Sequence, residues 1–103
     1  MVALEVDRHA LEAFCLRWKV QELALFGSVL REDFQAGSDV DVLISFADDA
    51  RWGLFDLAAM QEELEKLFGR PVDLVERKGI EASHNWIRRG AILHAARPIY
   101  RAS

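Results

Sequence analysis

The segment from Asp39 to Phe46, DVDVLISF, restricts the fold more than any other stretch of the chain. Its residues alternate: Val40, Val42, Ile44 and Phe46 fall on one side, and Asp39, Asp41, Leu43 and Ser45 on the other. A period of two belongs to a β-strand. One face is wholly apolar and has to be buried, while the other opens with two aspartates. The fold must therefore be built around a sheet that sets two like charges side by side.

Elements of that sheet and its cover can be read on both sides of this strand. From Asp7 to Trp18, Ala10, Leu11, Phe14, Cys15 and Trp18 recur at helical spacing, and Asp7 is an N-cap candidate. ELALF, ending at Phe26, runs into Gly27 as a strand entering a tight turn. SVLREDF predicts a brief helix, and QAGS a turn. After the polar loop ADDARWG, Leu54 to Phe68 reads as a second amphipathic helix, stopped by Gly69 and Pro71. PVDLVE is a third strand with Asp73 inside it, and Ile80 to Ala96 reads as a last helix that Gly90 interrupts and Pro98 ends. PIY completes the series as a short edge strand.

The expected order is α-β-α-β-α-β-α, an α+β fold with a mixed sheet packed by helices, in one domain over residues 1–103. With 51% hydrophobic residues and no low-complexity segment, the chain can bury a core. The formal charge of -4 disfavours a nucleic-acid partner, because no positive field gathers phosphates. Cys15 is the only cysteine, so no internal disulfide can form, which fits a cytoplasmic protein. No apolar run is long enough to span a membrane.

Asp39 and Asp41 lie two apart on a strand, with Cα atoms about 6.5–7 Å from each other and side chains pointing the same way. Two carboxylates that close repel unless a cation compensates them. Mg²⁺ does so with oxygen ligands and keeps positions open for water and phosphate. Asp73, on a later strand of the same sheet, is a candidate third carboxylate, and three such arms suit a two-metal site. Gly27 and Ser28 add a place where backbone N–H groups approach a phosphate, and Arg31, one helical turn on, is within reach of phosphate oxygens. The expected geometry is a triphosphate held between the Gly27-Ser28 turn and two Mg²⁺ ions.

Gly-Ser, a spacer, Asp-x-Asp and a later acidic residue together resemble the nucleotidyltransferase superfamily that includes DNA polymerase beta. More closely, the chain resembles the minimal nucleotidyltransferases, the MntA-type antitoxins of HEPN/MNT toxin-antitoxin pairs. The likeness runs from LALFGSVLREDF through SDVDVLISF and LFDLAAMQEELEKLFGRPVDLVE to IRRGAIL. It implies that Asp39 and Asp41 bind both metals, that Asp73 is the third ligand or the base for the acceptor hydroxyl, and that Gly27 and Ser28 hold the nucleotide phosphates. It further implies transfer of AMP from ATP to a tyrosine of a HEPN-type toxin, with release of pyrophosphate. A non-catalytic module that neutralises the toxin by occlusion is the competing reading, and transfer to a small molecule or RNA a third. Whether the chain forms a homo-oligomer is left open by composition.

Blander roles stand beside these. An Asp-x-Asp out of context is more often a cap and a solvated edge-strand residue, and Asp73 taken alone would be a solvated strand residue. Asp48 and Asp49 read as loop, and His9, His84 and His94 lack zinc-site spacing. Trp52 and Phe55 read as packing residues, and Trp86 beside Arg88 and Arg89 suits a protein interface if exposed. The chain has neither a Walker-type loop nor a dinucleotide glycine fingerprint.

Overall fold

The computed structural model describes residues 6–27 and 39–102. Its elements in chain order are α1 (Arg8–Arg17), β1 (Val20–Phe26), β2 (Val40–Phe46), α2 (Leu54–Phe68), β3 (Val72–Glu76), α3 (Arg77–Glu81), α4 (Trp86–Ala95) and β4 (Arg97–Arg101). The strands form one mixed sheet in the order β3-β2-β1-β4. β1 is antiparallel to β2 and to β4, whereas β2 and β3 run parallel. A parallel pair requires a crossover, and α2 supplies it.

The alternation in β2 sorts the core into two layers. Val40, Val42 and Ile44 face α1 and α2, where they meet Leu11, Phe14, Met60 and Leu64. Leu43 turns to the opposite face, with Ala24 and Phe26, beneath Ile80 of α3 and Ile92 of α4. Both faces of β2 are thus covered. That is why Val42, Leu43 and Ile44 are each at most 2% exposed although they point in opposite directions.

Local chemistry sets the ends of the helices. The Asp7 carboxylate accepts from the His9 and Ala10 N–H groups, as an N-cap should. Gly69 closes α2 in the left-handed conformation. The last predicted helix divides. α3 follows β3 directly, and α4 starts afresh because the Asn85 side chain accepts from Arg88 N at 3.1 Å and caps it. Ser83 Oγ in turn accepts from Asn85 N, so two poor helix formers become a turn and a cap. Gly90 lies inside α4 without breaking it. The brief helix expected over SVLREDF falls outside the described residues.

Trp52 packs as expected, edge-on to Trp18 with ring centroids 5.1 Å apart, and donates its indole N–H to Trp18 O. Phe55 does not pack: it is 89% exposed. At the β4 edge, Pro98 lacks an N–H and Arg8 covers the Ile99 carbonyl, and at the β3 edge the Glu65 carboxylate accepts from Val72 N. Both edges are thereby blunted against further strand pairing. Among the described residues no helix is long and apolar enough to cross a membrane.

Leu64 is fully buried between α2 and the sheet. Leu64→Ala is expected to cost about 2–5 kcal/mol, read as a lower urea midpoint at unchanged m-value. Cys15 offers a second check. Burial, and to a lesser degree the Glu12 charge, push its thiol from 9.0 up to about 12. The folded chain therefore keeps a proton that the unfolded chain loses near 9.0, so stability falls as pH rises above that value. Denaturation of Cys15→Ala across the alkaline range should lack this contribution.

Candidate active site

β2 is an interior strand, and this decides the environment of Asp41. Its register partners are Phe26 on β1 and Asp73 on β3. Neighbouring strands lie about 4.8 Å apart, so Asp41 and Asp73 stand shoulder to shoulder on one face. Asp39 immediately precedes β2, two residues before Asp41 and on the same side by the period of the strand. The start of β2 is pinned by Val40 N donating to Pro71 O at 2.8 Å, which ties the two strands together where their aspartates begin. Asp41 is half-buried, while Asp39 and Asp73 are exposed to solvent.

Gly27 comes to this point from the other strand of the β1–β2 pair. Its φ is +76°, a conformation that side chains disfavour. A Cβ placed on it would lie 2.1 Å from Asp41 Oδ2 and 3.0 Å from Asp41 Cγ. The carboxylate of Asp41 occupies the space that any side chain at position 27 would need. The left-handed backbone favours glycine here, and a side chain would in addition have to displace the Asp41 carboxylate.

The structure thus brings Gly27, Asp39, Asp41 and Asp73 to one end of the sheet. Ser28 and Arg31 lie outside the described residues. The solvated edge-strand reading fails for Asp41, which is interior, whereas Asp73 does sit on an edge strand. Arg70, which the sequence reading did not single out, precedes Pro71, the residue hydrogen-bonded to Val40, so its backbone reaches the same end of the sheet.

Among the described residues, no three His, Cys, Asp or Glu side chains converge closely enough to hold a metal ion by themselves. What the aspartates offer is an open set of hard oxygen donors. Such a set fits a strongly hydrated divalent ion that keeps water and phosphate ligands, and does not fit a soft metal or a tetrahedral structural site.

Residues 8–95 match the nucleotidyltransferase domain family. The chain belongs to that family. It is 35% identical over 66 residues to the protein adenylyltransferase MntA of Thermococcus cleftensis, covering 64% of this chain and 65% of that protein. A Methanocaldococcus jannaschii protein whose name proposes the same activity is 34% identical over 64 residues, covering 62% of this chain and 64% of its own length. The match thus spans just under two thirds of these curated relatives. A solved structure described as a minimal nucleotidyltransferase superposes with a TM-score of 0.67 at 32% identity, covering 89% of this chain and 88% of that one. The fold is also shared with a chain of a toxin-antitoxin crystal structure containing AMP-PNP, at TM-score 0.68 and 16% identity, covering 95% and 76%.

Gly27→Ala is expected to lose about 1–2 kcal/mol from the left-handed backbone alone. It should also push the Asp41 carboxylate from its place, which a shift of the Asp41 side-chain carboxyl resonance in the 13C spectrum would report.

Proposed function

We propose that the chain transfers a nucleoside monophosphate, AMP from ATP, to a protein acceptor, and that the acceptor is a HEPN-type toxin which this antitoxin neutralises in the cytoplasm. The observation that carries the proposal is the register of Asp41 against Asp73 beside Gly27, a carboxylate pair held on one interior and one edge strand of a nucleotidyltransferase fold.

Asp39 and Asp41 would hold divalent cations, with Mg²⁺ the ion whose hardness and open coordination suit them, and two such ions as the expected number. Bound there, the ions neutralise charge on the triphosphate and lower the pKa of an attacking hydroxyl. The protein's own contributions differ by position. Gly27, with no side chain, would let the backbone at the end of β1 approach the phosphates. Ser28 and Arg31 are assigned to the same phosphates on the pattern of the sequence. Asp73, more exposed than Asp41, would either share a cation or accept the proton of the acceptor hydroxyl. In the reaction the acceptor oxygen bonds to the α-phosphorus, the bond from that phosphorus to the bridging oxygen breaks, and pyrophosphate departs.

Relatives supply support for the acceptor. One is named a protein adenylyltransferase. A structural neighbour at 16% identity and TM-score 0.59 comes from a complex of a tri-AMPylated Shewanella oneidensis HEPN toxin with an MNT antitoxin.

The test is intact-mass spectrometry of the co-purified partner after incubation with each nucleoside triphosphate and Mg²⁺, beside the Asp39→Asn/Asp41→Asn protein. A gain of one or more AMP units with ATP is expected. The double variant, and chelation by EDTA, should each reduce the rate beyond the roughly 10–100-fold that loss of an outer-sphere partner costs. No gain with any nucleotide, together with full neutralisation by the double variant, would replace transfer by occlusion.

A further inference from the structure

The end of the sheet opposite the aspartates is also unusual, in a different way. α2 begins there, after the loop that leaves the C-terminal end of β2, and α3 follows from the C-terminal end of β3, with α4 next in the chain. The first residues of both long helices are apolar and uncovered: Leu54 is 80% exposed, Phe55 89%, Trp86 69% and Ile87 67%. Ordinary helix starts are polar, because the unpaired N–H groups there favour acidic and capping residues. Here each cap is followed at once by two large apolar side chains.

The two uncovered segments differ in charge. Leu54 opens onto a groove of about 510 Å³ between α2 and edge strand β3. Leu57 and Leu74 contribute apolar wall, and Glu62, Glu65 and Glu76 its charge. Among the described residues no lysine or arginine lines it. The other segment, Trp86-Ile87-Arg88-Arg89, is apolar and basic, and Arg88 is exposed. An acidic rim repels phosphates, so neither nucleic acid nor an anionic membrane suits the groove. An apolar, basic helix start does.

We propose that the chain forms a twofold homodimer in which Trp86 and Ile87 of each copy enter the groove between α2 and β3 of the other, with Arg88 facing its glutamates. The charge complementarity is internal to the chain, which carries both halves of the contact. Because each copy carries both the groove and the helix start, reciprocal docking can close the assembly, where one-way docking would string copies into a filament. The dimer does not depend on the transferase reading.

Sedimentation velocity of the full chain over a wide concentration range, from low micromolar to near millimolar, is the test. A monomer–dimer equilibrium is expected. Arg88→Glu and Glu62→Lys should each weaken it by about tenfold, the size of one desolvated charge pair, and the combined exchange should recover most of the loss. Trp86→Ala should weaken it without rescue. Circular dichroism checks that each variant is folded, and because all three residues are exposed, folding should survive. A wild-type chain that stays monomeric throughout overturns the proposal. So does a folded double exchange that binds no better than either single one, since a dimer built on another face would give that result.

Discussion

The pairing of β2 with a strand on each side is the constraint on which the rest of the molecule depends. Antiparallel pairing with β1 sets Phe26 and then Gly27 against Asp41, and parallel pairing with β3 sets Asp73 on its other flank. Neither aspartate could be brought to the other by a hairpin, because parallel strands require the long crossover that α2 provides. The same crossover buries Met60 and Leu64 over the apolar face of β2. Core formation and site assembly are therefore one event: the helix that covers the sheet also delivers the third carboxylate.

The chain tolerates close acidic groups by dividing its polarity between the faces and ends of the sheet. The α1/α2 face carries the larger apolar cluster, so it can supply the hydrophobic stabilisation that a small domain needs. The other face is only partly covered, by Ile80 of α3 and Ile92 of α4 over Leu43 and Phe26. Its uncovered end is where Asp39, Asp41 and Asp73 remain in contact with solvent or half so. That exposure keeps the three carboxylates within reach of solvent at one end of the sheet.

Much of the fold was legible because its periodicities are strong. DVDVLISF alternates over its whole length, and Leu54 to Phe68 keeps its apolar stripe between a clear start and Gly69. The last third was harder. Ile80 to Ala96 has helical composition throughout, and only the hydrogen bonds of Ser83 and Asn85 divide it. Phe55 was equally opaque: a phenylalanine in an amphipathic helix is ordinarily buried, and only the packing leaves it outside. Of the candidate site, the aspartates and Gly27 could be picked out by spacing, whereas the register that sets Asp73 beside Asp41 could not, since it depends on which strands pair.

The sequence by itself determined the alternating strand, the helices that must cover it, the family motif and the chemical type of the site, because periodicity and residue chemistry are local properties. Tertiary structure alone decided that β2 is interior, that Asp73 faces Asp41 and not a neighbouring residue, and that the Asp41 carboxylate fills the space beside Gly27. Those are matters of register and strand order. A shift of one residue would turn Asp73 to the opposite face, and only the packing of both faces forbids it.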